Sequence, residues 1–157
     1  MSYLFYIHAV VLFIQLPAMA LGQSQLVPVR WSFSLSTPNM REAVLNAEAT
    51  IAPGWHVYSQ SQQPGGPIPT RFTFAKPQEF VPLSNMVERG NAVRYYDELY
   101  EMDITWYADA VSYSQTLLVN QPAAALKGVV EYMACNEYMC IPIEEKFTVE
   151  LKQITKK

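Results

Sequence analysis

A strict alternation of apolar and polar residues runs through residues 30–36, RWSFSLS. Trp31, Phe33 and Leu35 fall on one face of an extended chain, because successive side chains of a strand point to opposite faces. The same alternation recurs in residues 43–51, AVLNAEATI. These stretches predict amphipathic β-strands, each with one face buried and the other in water.

Further strands are predicted between turn signals. Pro53-Gly54 and residues 62–67, QQPGGP, mark two of the turns. Residues 95–103, which carry four acidic side chains, are interpreted as an irregular segment. The remaining extended segments are expected at residues 55–58, 71–74, 80–81, 86–87, 102–106, 115–120, 126–134 and 146–151. Short strands separated by turns predict an all-β fold, an immunoglobulin-like antiparallel β-sandwich.

The N-terminus has the features of an export signal. Residues 3–16 are almost wholly apolar and are followed by the small-residue motif AMA at 18–20, although no Lys or Arg precedes them. The apolar run is short for a membrane span. We therefore expect a signal peptide at residues 1–22 and one domain at residues 23–157. A retained membrane anchor and a buried N-terminal segment are the alternatives.

Size and charge narrow the function classes. A chain of 157 residues can build a core that is stable without disulfides. The net charge of −3 provides no basic surface, so nucleic acid is not an expected partner.

The chain has two cysteines, Cys135 and Cys140, within residues 132–142, YMACNEYMCIP. A disulfide across so short a loop stabilises by only about 2 kcal/mol, against more than about 4 for a loop of some 70 residues. On a helix the two side chains would diverge, whereas facing positions of a hairpin bring the Cα atoms within disulfide range. We expect the pair to lie exposed at the end of a sheet, with Pro142 at an edge or in a loop.

The spacing leaves three interpretations of the pair: a static structural disulfide, a redox-active dithiol and a metal site. Metal is the weakest, because structural zinc takes four ligands and His56 is the only His outside the predicted signal. The spacing is not Cys-x-x-Cys and no βαβ pattern surrounds it, so the domain is not itself thioredoxin-like.

Three segments carry a family likeness: Trp31-Ser32-Phe33, the turn PGWHVYS at 53–59 and the hairpin at 135–142. Together they resemble the N-terminal periplasmic domain of the thiol:disulfide interchange protein DsbD, with closest likeness to its Bacteroidetes-type members. The resemblance covers roughly residues 27–151. It implies an immunoglobulin-like fold, in agreement with the strand pattern. It also implies a domain that passes electrons from a membrane-embedded and a thioredoxin-like domain to periplasmic disulfide isomerases and cytochrome c maturation factors.

The resemblance assigns roles to the two cysteines. Cys140 matches the cysteine that forms the mixed disulfide with partners, and Cys135 matches the resolving cysteine. Five residues commonly separate the pair in the family, and four separate it here. Met133, Tyr138 and Met139 are candidate apolar docking contacts around them, with a place in the core as the alternative.

The resemblance also implies a cap loop at Asp97, Glu98, Leu99 and Tyr100, which would cover the cysteines and move aside on docking. Leu99 stands where the family often has Phe, so a smaller lid over the sulfurs is expected. Burial and negative charge under such a lid would disfavour the thiolate until a partner arrives. An ordinary solvated loop is the alternative interpretation of the acidic residues.

His56 and Tyr58 match aromatic positions that line the cysteine site, and Pro142 lines it beside Cys140. His56 departs from the commoner aromatic. We expect it to fill space, with a proton relay as the alternative.

The resemblance thus implies a periplasmic, monomeric dithiol–disulfide carrier with no cofactor beyond its own disulfide and no metal. Its expected partners are thioredoxin-like proteins and a cysteine-bearing membrane electron donor. Whether the chain counts as an enzyme, as part of a protein-disulfide reductase, stays open. The rival is an exported immunoglobulin-like binding module with a static hairpin disulfide, and a third option keeps the fold without the relay.

Overall fold

The computed structural model describes residues 27–39, 41–120 and 125–151. Within these ranges the regular structure is entirely β, so none of the described residues belongs to a helix that could cross a membrane. The predicted signal peptide lies outside the described residues. The strands are β1 Val29–Ser36, β2 Glu42–Ile51, β3 His56–Tyr58, β4 Arg71–Phe74, β5 Phe80–Pro82, β6 Val87–Asp97, β7 Met102–Val119, β8 Ala125–Cys135 and β9 Cys140–Glu150.

Antiparallel pairing joins all the described strands. The continuous path runs β1-β2-β7-β3-β8-β4, while β5 and β6 pair with β7, and β9 pairs with β8. Along one edge β7 pairs with β2 through residues 110–118 and then with β3 through residues 106–107. Asp109, between the two segments, has a left-handed φ of 61°, a conformation that Asp tolerates better than most residues. β7 therefore passes from one layer of the sandwich to the other.

Aromatic side chains from both layers meet around Trp31 of β1. The centroid of its ring lies 5.7 Å from the ring centroid of Phe72 in β4, 5.7 Å from that of Tyr113 in β7 and 5.5 Å from that of Tyr132 in β8. Such aromatic pairs contribute about 0.5–1.5 kcal/mol each beyond the area they bury. The predicted inward face of β2 is confirmed, since its alternate apolar residues are buried. They are Leu45, Ala47, Ala49 and Ile51.

The prediction failed in the region of β6 and β7. Residues 86–87 and 95–103 were expected to be a short strand and an irregular segment, yet β6 runs without a break from Val87 to Asp97. Residues 102–106 and 115–120 were expected to be separate strands, yet both lie in β7, an 18-residue strand. The reason is exposure. Most of β6 is exposed on both faces, so its sequence carries no apolar stripe to reveal it.

Candidate functional site

The two cysteines face each other across a tight hairpin, as predicted. Cys135 ends β8, Cys140 begins β9, and a disulfide joins them with their Cα atoms 4.1 Å apart. The side chain of Asn136 organises the turn: its Oδ1 accepts hydrogen bonds from the backbone N–H groups of Tyr138 at 2.8 Å and Met139 at 2.9 Å. The Asn136 N–H donates to the Met139 carbonyl at 2.9 Å, which closes the loop.

The two sulfur-bearing residues differ sharply in exposure. Cys140 is exposed, but Cys135 is only 1% exposed. The expectation that both lie exposed was therefore wrong for Cys135. Its strand, β8, is flanked at this level by His56 of β3 on one side and by Cys140 of β9 on the other. In the described structure β9 pairs only with β8, so the far side of Cys140 stays open.

Cys135 faces away from the main core. Ala134 precedes Cys135 on β8, and Val57 of β3 pairs with Ala134. The side chains of both point into the interior between the layers. Since side chains alternate along a strand, Tyr58 and Cys135 point to the opposite face. There Tyr58, Ile104 and Cys135 are buried together. We call this group the cysteine cluster; its partly buried surround consists of Tyr100, Met102, Trp106 and Met133.

The proposed cap segment is a turn held by the side chain of Asp97. Asp97 Oδ1 accepts from the backbone N–H groups of Leu99 at 2.9 Å and Tyr100 at 3.1 Å. The bond from Tyr100 is the main cause that lowers the pKa of Asp97, and the Tyr95 hydroxyl donates a further bond at 2.9 Å to Oδ2. Burial, then the bond to Asp97, raises the pKa of Tyr95 to about 12.

The expected shielding by Leu99 is wrong for this structure. Its side chain is 85% exposed and points into solvent beside the exposed Glu98. Tyr100 and Met102, which flank Glu101 at the end of the turn, pack against the cysteine cluster instead. An Asx-type turn fixes the backbone of residues 97–100 in a way that leaves the Leu99 side chain no partner to pack on.

His56 and Tyr58 lie side by side near the cysteines. His56 Nε2 is 3.4 Å from the Tyr58 hydroxyl, and the His56 ring centroid is 4.7 Å from that of Trp106. Burial lowers the pKa of His56, which keeps the imidazole neutral at pH 7. Burial also raises the pKa of Tyr58, and the charges of Tyr100 and Asp97 add to that rise. The space-filling role of His56 stays a prediction, as does the proton relay.

Pro142 lies on β9 opposite Met133 and is exposed. Its place on a strand that is an edge in the described structure agrees with the prediction, because Pro has no N–H for a further ladder.

Sequence reasoning missed the residues that hold the far end of β3. Glu88 Oε1 accepts hydrogen bonds from Ser59 Oγ and, at 3.0 Å, from the Tyr107 hydroxyl. Glu88 Oε2 accepts from the Gln60 N–H at 2.9 Å. The short strand β3 is thereby fixed to β6 and β7, which sets the position of Tyr58. No local pattern could reveal contacts that span nearly 30 residues.

Ile104 and Trp106 were also missed as parts of the site. The alternation of residues 102–106 was recognised as a strand, and this places Met102, Ile104 and Trp106 on one face. That apolar face, directly after the cap segment, was the available signal that a second surface covers the cysteines.

The unequal exposure determines what the disulfide can do. A thiolate attacks a disulfide sulfur along an open approach, and the exposed residue of the pair is Cys140. Attack there would release Cys135 as the leaving thiolate. Among the described residues no group of three or more His, Cys, Asp or Glu side chains could hold a metal ion.

The fold and the hairpin define a class: an immunoglobulin-like β-sandwich that carries a thiol–disulfide exchange site on the outer face of one sheet. The family model of the N-terminal domain of the thiol:disulfide interchange protein DsbD matches residues 23–152, and the chain belongs to that family. No curated protein matches the sequence.

Solved structures show the same fold. The N-terminal domain of DsbD from Neisseria meningitidis, in its reduced form, is 16% identical with a TM-score of 0.55, over 82% of this chain and 92% of that one. The N-terminal periplasmic domain of ScsB from Proteus mirabilis is 19% identical with a TM-score of 0.53. That match covers 78% of this chain and only 45% of the ScsB chain, so this chain spans less than half of its length.

Proposed function

We propose that this domain is a periplasmic dithiol–disulfide carrier. It takes electrons from a membrane-bound or thioredoxin-like donor and passes them to disulfide isomerases or cytochrome c maturation factors. The observation that supports this best is the contrast between the exposed Cys140 and the buried Cys135. A static staple has no need of that asymmetry, whereas a carrier needs one sulfur that partners reach and one that they do not.

In the proposed reaction a donor thiolate attacks Cys140 Sγ. The Cys135–Cys140 bond breaks, a mixed disulfide forms at Cys140, and Cys135 leaves as a thiolate that takes up a proton. The second thiol of the donor then attacks the donor sulfur that is bonded to Cys140, and Cys140 is released as a thiolate that takes up a proton. The carrier gains two electrons and two protons, and the donor becomes a disulfide. Delivery to an acceptor reverses these steps: Cys140 attacks and Cys135 resolves.

Residues 97–100 are proposed to act as the cap that moves on docking. The Asp97 side chain holds the turn by hydrogen bonds within the turn, so the cap can move while only the Asp97–Met102 end of the β6–β7 ladder opens. Leu99, Tyr138 and Met139 are exposed apolar side chains on the cap and the cysteine turn. They offer a partner's active-site rim an apolar contact around the Cys140 sulfur.

The remaining features of the proposal follow from the predicted export signal and the family. Residues 1–22 direct export and residues 23–157 form the working domain, which acts as a monomer and needs no cofactor beyond its disulfide. The ScsB relative is described as periplasmic, and an oxidising compartment lets the disulfide persist between cycles.

Trapping with single-cysteine variants tests the roles. With Cys135→Ser, a thioredoxin-like partner should accumulate as a mixed disulfide at Cys140, because nothing resolves it. With Cys140→Ser, no complex should form. The covalent complex is measured by non-reducing gel and mass spectrometry, with the double Cys→Ser variant as control. Equal trapping by both single variants would contradict the assignment.

A further inference from the structure

We propose that Met102, held in place by the glycines of the loop at residues 62–67, seals the sulfur of Cys135 and so restricts incoming thiolates to Cys140. The proposal rests on the exchange function above and adds to it a residue that determines which sulfur is attacked.

The cover of the cysteine cluster comes mainly from strand residues, Met102 and Trp106 of β7 and Met133 of β8, rather than from the tip of the cap turn. Met102 and Tyr100 pack against the buried group of Tyr58, Ile104 and Cys135. Leu99, at the tip, is 85% exposed and makes no part of that cover. Met has three rotatable bonds and a polarisable sulfur, so it fills an irregular gap and can also leave it at low cost.

The glycines of the 62–67 loop let Met102 lie where it does. A Cβ atom built on Gly66 would lie 2.9 Å from Met102 Sδ, closer than real Cβ contacts allow, and one on Gly65 would lie 3.8 Å from Met102 Cε. Gly65 also has a φ of 92°, which favours glycine. The loop backbone therefore presses directly on the thioether, and any side chain at residue 66 would push it aside.

The same loop is tied to the strands that carry the cysteine cluster. The Gln62 side-chain amide donates to the Thr105 carbonyl, between Ile104 and Trp106. After the loop, Thr70 Oγ1 donates to the Tyr58 carbonyl at 2.7 Å. The loop thus has a fixed place over the cluster and acts as an outer wall for Met102.

The consequence is a choice between two sulfurs. An open Cys135 would allow a thiolate to form a mixed disulfide there and expel Cys140. With Cys135 sealed, the thiolate bonds to Cys140 Sγ, the bond to Cys135 breaks, and Cys135 takes up the proton. Met102 is therefore the residue that directs attack, and Gly66 is a positioning residue that acts through Met102.

Peptide-resolved alkylation of the reduced protein tests the seal. A limiting amount of iodoacetamide is added, the protein is cleaved after Glu137 to separate the two cysteines, and mass spectrometry gives each initial rate. Cys140 serves as an internal reference in the same molecule. Met102→Ala should raise the Cys135 rate, relative to that of Cys140, by about tenfold, because it lowers the free energy of local opening. Met102→Leu should restore the parental ratio.

Two exposed residues provide matched controls. Leu83→Ala and Val87→Ala, outside the site, should leave the ratio unchanged, since these side chains are 51% and 42% exposed. Leu99→Ala, at the tip of the cap turn, should change it less than Met102→Ala does. A ratio that does not respond to Met102→Ala, or that responds more to Leu99→Ala, would overturn the proposal.

Gly66→Ala supplies an independent test should Met102→Ala fold poorly. It should raise the Cys135 rate in the parent protein but add nothing further in a Met102→Ala background, because the closer of its two contacts, at 2.9 Å, is with Met102 Sδ, and the other, at 3.3 Å, is with the Gln63 carbonyl oxygen of its own loop. Additive effects in the double variant would show that the glycine acts elsewhere and would overturn its positioning role. Alkylation needs no partner protein. A confirmed seal without any trapped partner would leave this proposal standing while the exchange function fails.

Discussion

The two faces of the β3–β8 pair carry contrasting clusters. On the inner face Val57 and Ala134 join a core of aromatic and β-branched side chains supplied by both layers of the sandwich. Tyr58 follows Val57 and Cys135 follows Ala134, so their side chains lie on the outer face. There they form a small group with Ile104 under a partly exposed cover. The inner cluster rests on long ladders of paired residues. The outer cover combines strand residues with a turn and a loop that side-chain hydrogen bonds hold in place.

This difference separates stability from reactivity. Local opening is least costly where few buried apolar contacts and mainly local hydrogen bonds hold a segment. The Asp97 turn and the 62–67 loop at the outer side of the cover meet that description, and the inner core does not. We infer that the sulfur site can open without loosening the sandwich, and four changes probe the separation.

The largest effect is expected from Leu45→Ala, in a second buried cluster of the sandwich interior, where Leu45 packs with Phe80 and Leu117. Leu45 is 0% exposed, so the truncation should lower the free energy of unfolding by about 2–5 kcal/mol. Denaturant unfolding of the oxidised protein measures it. Leu83→Ala, at a residue 51% exposed, is the control and should stay within about 0.5 kcal/mol of the parent. The ratio of the two cysteine alkylation rates should not change with Leu45→Ala in folded protein. A change would show that the two faces are coupled.

Reduction of the disulfide should have a smaller effect. The bridge closes a turn of four residues, so its loss should cost about 2 kcal/mol at most. Amide hydrogen exchange should speed up in the hairpin and the cap turn while β2 keeps its protection. Collapse of protection throughout β2 on reduction would mean that the disulfide is a staple of the whole fold.

Asn136→Ala isolates the hairpin turn from the disulfide. Asn136 Oδ1 accepts two backbone N–H bonds, and their loss should lower the free energy of unfolding by about 1 kcal/mol. Glu137→Ala, at the next and exposed position of the turn, is the control and should change little. If both variants behave alike, the Asn136 side chain does not organise the turn.

The smallest effect is a pH dependence from His56. Because burial lowers its pKa in the folded state from 6.5, the unfolded chain binds a proton there at a higher pH than the folded chain does. Stability should therefore fall as the pH decreases below about 6.5, until the folded pKa is also passed. His56→Phe should flatten that slope. The slope is expected to be shallow, since solvent screens a half-exposed group. An equal slope in both proteins would show that His56 titrates normally.

Local alternation predicted the fold well, because a strand with one buried face has an alternating apolar and polar sequence. Leu45 and Ala47 of β2 are examples. The facing cysteines were predicted from their spacing and from hairpin geometry, and this prediction is confirmed. β6 escaped because a strand exposed on both faces has no stripe. The burial of Cys135 was missed for another reason: it depends on Tyr58 of β3 and Ile104 of β7, which are distant in the chain, and no short pattern encodes such contacts. The exposure of Leu99 depends instead on the turn that Asp97 holds.

A redox titration of the purified domain in graded dithiol buffers, followed by alkylation mass shift, distinguishes an electron carrier from a static disulfide. We expect a midpoint of about −180 to −270 mV, the range of working thiol–disulfide oxidoreductases. A midpoint below about −300 mV with slow exchange would contradict it and would mark a structural disulfide in an immunoglobulin-like binding module.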